Sequence, residues 1–132
     1  MCSSDLILAS RDAVADRYAA LLGGIPGIEL PAVVDGDRRS WFVYTVLLEP
    51  HVDRNAVIGL LEQRGIAAKP YLPAIHLQPF YRGRGHREGE LPVCEAVSAR
   101  SLALPFFGAL TAAQQERVAS ELADVLADPP VR

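Results

Sequence analysis

The side chains best suited to chemistry in this chain are gathered between Lys69 and Arg84. Lys69, Tyr71, His76, Tyr81, Arg82 and Arg84 bring an amine, two phenols, an imidazole and two guanidinium groups into one short stretch. A lysine amine can form an imine with a carbonyl compound, but this needs a desolvated site that lowers its basicity. Lys69 is the only lysine of the chain and stands between Ala68 and Pro70, with no acidic partner and no glycine-rich phosphate cradle nearby. Its expected role is a structural or substrate-side cation. His76, beside Ile75 and Leu77, reads most simply as an ordinary packed histidine; contact with a polar substrate is the sharper alternative. Tyr71 and Tyr81 are expected to bury part of their rings and to offer their hydroxyls for hydrogen bonding. The run Arg82-Gly83-Arg84-Gly85-His86-Arg87 concentrates positive charge on an otherwise acidic chain. Such runs are usually solvated; the sharper reading is a clamp on phosphates, which arginine forks suit.

Composition narrows the classes. At 132 residues the chain is one domain long, enough for a real core. Half of it is hydrophobic, which excludes wholesale disorder. A net charge of −3 argues against a nucleic-acid partner, since such domains carry a basic excess. No apolar run approaches the roughly 18 residues of a membrane span, and no secretory leader pattern opens the chain. Cytoplasmic residence is the default expectation. His51, His76 and His86 lack ligand spacing, so no metal site is expected. Cys2 and Cys94 form neither a metal motif nor a disulfide framework. Cys94 sits in an apolar helical pattern and is expected to be buried.

The elements that must position these groups follow from periodicity and punctuation. Arg11 to Leu22 carries the stripe Val14, Tyr18, Leu21, Leu22 of a half-buried helix, stopped by Gly23-Gly24 in a left-handed cap. Ile25 to Pro31 enters a short strand, and Asp35-Gly36-Asp37 makes a turn. Ser40 to Glu49 is the strongest strand, suited to a central position with both faces covered. Asp53 caps a helix with Val57, Leu60 and Leu61 on one face and Gly65 at its end. Ile66 to Tyr71 returns as a strand, which Pro70 and Pro73 place at an edge. Phe80 to Glu90 reads as a loop. Pro92 opens a helix whose apolar side is Val93, Ala96 and Val97. Ser101 to Pro105 is a buried strand, and Thr111 with Gln114 begins the last helix as a capping box. Val118, Leu122, Val125 and Leu126 form that helix's core stripe, and Asp128 to Arg132 is expected to fray. The fold class is α+β, a small sheet of three or four strands covered by helices.

The motif order carries more than any single motif. An aromatic strand (Ser40 to Leu48) precedes an Asp53-Arg54 helix start and an Arg64-Gly65-Ile66 helix end. Then come Tyr71, Pro73 and His76, Gln78-Pro79 and Tyr81, Leu91-Pro92, the Ser101 to Pro105 strand and the Thr111 cap. From Arg11 to Leu126 this resembles the C-terminal domain of the DegT/DnrJ/EryC1/StrS aminotransferases. These are fold-type I enzymes that use pyridoxal 5′-phosphate (PLP) to aminate nucleotide-linked keto sugars.

The resemblance implies a domain that walls the substrate cleft and supports a homodimer. A nucleotide-linked keto sugar would be the substrate and an amino acid, glutamate, the donor. It implies no catalytic residue in this chain, because the imine lysine and most cofactor contacts belong to the family's large N-terminal domain, expected to be absent here. Residues 1–6 are expected to be a non-native leader, 7–127 the aminotransferase C-terminal domain and 128–132 a tail. As substrate-binding residues the resemblance points to Tyr71, His76 and Tyr81, with His76 near the active-site mouth; Lys69, Arg82 and Arg84 join them as candidate cations by their own chemistry, the two arginines in a loop (Arg82 to Glu88) that varies widely in the family. Two alternatives stay open: a dehydratase of the same family with histidine in place of the imine lysine, and a free-standing α+β module that binds a small ligand. A detached enzyme half should expose an apolar patch where the large domain sat, and a free-standing module should not.

Overall fold

The computed structural model describes residues 3–132. Met1 and Cys2, the start of the expected leader, lie outside them. The organising element is β2 (Tyr44–Leu48), an interior strand of a four-stranded antiparallel sheet in the order β1-β2-β4-β3. β1 (Ile28–Glu29) pairs with one side of β2, and Ile28 stands opposite Leu48. β4 (Ser101–Leu104) pairs with the other, with Val46 opposite Leu102. β3 (Lys69–Pro70) adds a short edge, Lys69 opposite Ala103. The expected strand over residues 66–71 shrinks to these two residues. A proline cannot donate to a ladder, so the strand ends as soon as Pro70 is reached.

The side chains of β2 alternate. Tyr44, Val46 and Leu48 are fully buried, whereas Thr45 and Leu47 are half-buried. The expectation of two covered faces is therefore corrected: only one face is packed. Three helices lie with it in the core, α1 (Ser3–Leu22), α2 (Arg54–Gln63) and α5 (Ala112–Ala127). α1 begins well before Arg11, because Ser3 to Leu6 continue the same helical path. It ends at Gly23 without a left-handed cap; the positive φ in this connection belongs to Gly27. Arg17 donates to the buried Gln115 Oε1 at 2.7 Å, and Gln115 Nε2 donates to the Val14 carbonyl at 2.8 Å, tying α1 to α5.

Local chemistry accounts for the ends of the elements. Asp53 accepts from the amides of Asn55 and Ala56, and α2 ends in paired bonds from Gly65 to the Glu62 carbonyl and from Ile66 to that of Leu61. Gly65 has φ of 79° there, the left-handed value that closes such an end. On α2 the buried partners are Val57, Ile58 and Leu61; Leu60 faces solvent instead. α5 opens with the expected reciprocal bonds between Thr111 and Gln114, and its stripe Val118, Leu122, Val125, Leu126 is buried throughout. The final residues do not fray. The Asp53 amide donates to the Pro130 carbonyl and that of Arg132 to His51, pairing the tail with the loop before α2.

Two further elements carry the site. The region expected to be a loop from Phe80 begins as a short helix, α3 (Pro79–Arg82), started by Pro79. After a turn, α4 (Pro92–Arg100) runs into β4 and buries none of its residues. Val93 is 77% exposed and Cys94 is exposed too, so the expectation that this cysteine is buried is wrong. The apolar side of α4 exists in the sequence, but nothing in the described residues covers it. No helix among the described residues is long and apolar enough to cross a membrane.

Candidate functional site

The uncovered face of the sheet forms an open groove of about 640 Å³, lined among others by Phe42, Thr45, Leu47, Tyr71, Val97 and Ser101. Thr45 and Leu47 reach it because the pleat sends them opposite to Tyr44, Val46 and Leu48. Phe42 stands 77% exposed at its rim. Arg39 also lines the groove and holds its guanidinium 4.8 Å from the Trp41 ring centre. Tyr44 stacks on both Trp41 and Phe106, and the latter two rings are tilted against each other. Burial pushes the Tyr18 hydroxyl well above the usual phenol range and raises that of Tyr44. Tyr18 donates to the Pro105 carbonyl at 2.7 Å, so both phenols are neutral structural groups.

The structure separates the sequence-predicted residues into three places. Tyr71 lines the groove. It is followed by Leu72 at φ 41°, a left-handed backbone on a bulky residue directly before a proline. Such strain costs on the order of 1–3 kcal/mol and gathers at functional sites. Lys69 is exposed on the edge strand beside it. The remaining groups lie on the segment from residue 75 to 91.

His76 sits in a single 3-10 turn, Ile75–Leu77, and is 6% exposed. Its Nε2 lies 2.8 Å from Glu95 Oε1. Nδ1 is the buried side-chain nitrogen or oxygen left without a partner among the described residues. A neutral ring with its proton on Nε2 fits this arrangement, because a proton on Nδ1 would be a buried orphan donor. Glu95 also accepts from the amides of Gly89, at 2.9 and 3.0 Å, and Leu91, at 3.3 Å. The Gly89 amide first and the His76 bond second hold its carboxyl below the usual carboxylate range.

Tyr81 is half-exposed and packs edge-on against both Phe80 and His86. Arg82 donates to the Leu77 carbonyl at 2.8 Å and to Glu88 at 3.2 Å. Arg84 lies over the Phe80 ring at 4.4 Å. His86 meets Glu90, whose carboxyl the Arg87 amide holds low. The arginine-rich run is thus partly neutralised by its own glutamates. Arg84 and Arg87 keep charge available at the surface, whereas Arg82 is already occupied.

Sequence reasoning missed Glu95, Arg54 and Arg100. Arg54 donates to the carbonyls of Ser98 and Ser101, closing the C-terminal end of α4. Arg100 pairs with Glu29 and donates to the Leu48 carbonyl. The available signal for Glu95 was an acid in the first turn of a proline-started helix, where the helix dipole favours it.

The profile of the DegT/DnrJ/EryC1/StrS aminotransferase family matches residues 2–123. This chain belongs to that family. The dTDP-3-amino-3,4,6-trideoxy-alpha-D-glucose transaminase of Streptomyces venezuelae is 35% identical over 109 residues, covering 82% of this chain and 28% of that protein. A pleiotropic regulatory protein of Geobacillus stearothermophilus is 33% identical over 113 residues, 83% of this chain and 30% of its own length. Among solved structures, S. venezuelae DesV in complex with a ketimine intermediate superposes with a TM-score of 0.81 at 32% identity, covering 92% of this chain and 32% of that one. The chain therefore spans about a third of the length of the family members it matches.

Membership in this family implies dependence on PLP. The described residues do not fit the group by themselves. The one lysine of the chain is exposed at a sheet edge, where no desolvation favours an imine, and no glycine-rich anion cradle stands beside it.

Proposed function

We infer that this chain is the C-terminal domain of a PLP-dependent sugar aminotransferase and walls the substrate cleft without carrying the amino-transfer chemistry. The observation that carries this reading is the likeness of nine-tenths of the chain to a structure solved with a ketimine intermediate. The one-sided sheet supports it, since a domain of this size rarely leaves a broad apolar groove and an apolar helix side uncovered without a partner for them. A cofactor-bearing large domain covers the groove in this reading. The substrate is a nucleotide-linked keto sugar, glutamate is the donor, the working unit is a cytoplasmic homodimer, and no metal or nucleic acid takes part.

Within that unit the residues of this chain bind and orient. Tyr71 presents its phenol in the groove, where it can hydrogen-bond a sugar hydroxyl. Lys69, Arg84 and Arg87 supply cations for a diphosphate, and Arg82 holds the turn that carries Arg84. His76 acts through Glu95 from inside the fold. PLP, held by the large domain, supplies the electron sink for amino transfer.

A domain exchange tests the reading. The C-terminal domain of a characterised sugar transaminase is replaced by residues 7–127 of this chain, and cofactor absorbance and glutamate-dependent amination are measured. The expected result is a PLP-loaded chimera that aminates a keto sugar nucleotide, while the 132-residue chain alone binds no PLP and transfers nothing. Amino transfer by the isolated chain would overturn the proposal, as would a chimera that loads PLP yet binds no sugar nucleotide.

A further inference from the structure

Two polar features of the molecule lie outside the reading above, and a third deepens it. The mixed-charge cleft between α1 and residues 32–41 sets Asp12, Asp16 and Asp37 against Arg38 and Arg39 and has no buried polar group aimed into it. The buried Gln115 is fully partnered by α1. The Glu95 carboxylate carries more, because three donors from two separate pieces of chain, His76 on one side and Gly89 and Leu91 on the other, converge on it.

We propose that Glu95 is a positioning residue that fixes the cationic segment from Tyr81 to Arg87 against the rest of the domain. The proposal rests on the aminotransferase reading only for what that segment binds. Glu95 Oε1 takes the Nε2 proton of His76 at 2.8 Å, from the 3-10 turn that precedes α3. The same carboxylate takes the Gly89 amide with both oxygens and the Leu91 amide with one. One side chain therefore clamps both ends of the segment that carries Tyr81, Arg82, Arg84 and Arg87.

Within the segment the remaining ties are local. Arg82 reaches Leu77 and Glu88, and His86 reaches Glu90. None of these joins the segment to the sheet or to α4. The bonds to Glu95 are charge-assisted, about twice as strong as neutral ones, and the ring that makes the first of them is buried. Among the described residues the His76 ring has no other hydrogen-bond partner, so Glu95 is what compensates its burial there. The two residues act as one latch, and the histidine expected at a substrate-facing mouth serves here from beneath the segment.

The test uses the 132-residue chain first. Amide hydrogen exchange at Gly89 and Leu91 and the imidazole nitrogen signals of His76 are read by NMR in the wild-type chain and in Glu95→Ala, Glu95→Gln, His76→Phe and His76→Gln. Expected are an Nε2-protonated His76 and exchange at Gly89 and Leu91 roughly tenfold faster in Glu95→Ala. Val118 and Leu122 in α5 should be unchanged. His76→Gln, which can still donate from nearly the same point, should restore slow exchange, and His76→Phe should not. Glu95→Gln, which keeps one acceptor oxygen and loses the charge, should fall between. Unchanged exchange at Gly89 in both Glu95 variants, or equal behaviour of His76→Gln and His76→Phe, overturns the latch whatever the enzyme proves to do.

In the chimeric enzyme, Glu95→Ala should raise KM for the sugar nucleotide about tenfold with kcat and cofactor absorbance unchanged. A lower kcat with unchanged KM would overturn the assignment of the segment to substrate. An inactive but PLP-loaded parent chimera would count against the aminotransferase reading, and the exchange data would still decide the latch.

Discussion

α5 and α4 carry the same kind of sequence signal and end in opposite surroundings. Each begins at a recognisable start and shows apolar residues at helical spacing. In α5 the stripe is buried to the last residue, with Leu122 at 0% exposure. In α4 nothing is buried, and Val93 and Val97 stand 77% and 41% exposed. Helical spacing states that one side of a helix is apolar. It does not state where the surface that covers that side comes from. For α5 it comes from α1 and α2, within this chain; for α4, in the reading proposed above, it comes from the rest of a larger protein.

The sharpest way to break this comparison is to truncate one residue from each helix. Leu122→Ala should destabilise the chain by about 2–5 kcal/mol, through lost transfer energy and the cavity left behind. Val93→Ala should change stability by less than about 0.5 kcal/mol, because little contact is lost at an exposed site. Urea denaturation followed by circular dichroism measures both. Comparable losses would mean that α4 is packed in solution.

A second test moves the comparison from helices to the faces of the sheet. Phe42→Asp, at the rim of the open groove, should leave the stability of the isolated chain within about 0.5 kcal/mol of wild type. In the chimeric enzyme the same change should reduce the yield of PLP-loaded protein, since a charge then meets an apolar interface unpaired. Cys94 gives a reading of the other surface. In a Cys2→Ser chain it should react at once with a thiol reagent, being exposed and the only thiol left. Slower labelling in the chimera would assign α4 to an interface. Equal labelling would leave the groove as the sole contact.

What could be read from the sequence divides along the same line. The four strands, the caps at Asp53 and Thr111, the Gly65 stop and the α5 stripe were legible because each depends on neighbours a few residues away. The covered second face of β2, the buried Cys94 and the frayed tail were misread because each depends on what packs from far along the chain or beyond it. The tail holds because the amides of Asp53 and Arg132 find partners across a gap of dozens of residues, which no local pattern announces. At the candidate site the residue types were legible and their partners were not. His76 reads most simply as a packed histidine and is buried, but that its polar contact is Glu95, on a different helix, was not legible. The arginine run was read for its charge, and Glu88, just beyond it, pairs with Arg82 while Glu90 meets His86.

The capping box of α5 offers a smaller effect. Thr111→Ala removes the acceptor of the Gln114 amide, bonded at 3.2 Å, and should cost about 1 kcal/mol in the same urea experiment. A loss well below that would mean that packing of the stripe alone sets the start of the helix.

The smallest effect is also the one that separates the two helix starts most cleanly, because they are closed by different chemistry. α5 is capped by a hydroxyl and an amide, neither of which titrates. The loop that leads into α4 is tied by the carboxylates of Glu90 and Glu95, both held below their ordinary range, first by backbone amides and then by His86 and His76. A carboxyl with a depressed folded-state value binds its proton less readily folded than unfolded. Its contribution is therefore complete above the ordinary carboxylate range and is lost as pH falls through the lower folded value. Arg82, Arg84, Arg87 and Glu88 share the same loop, so the response is read at the amides that donate to the two carboxylates. Acidification should shift the Gly89, Arg87 and Leu91 amide resonances together, with a midpoint below the ordinary carboxylate range. The Gln114 amide should stay fixed over the same titration. Glu95→Gln should remove the response at Gly89 and Leu91 while leaving that at Arg87, whose amide donates to Glu90. A Gln114 shift of equal size would mean that acid loosens the whole domain, and the contrast between a packed helix and one closed by carboxylates would fail.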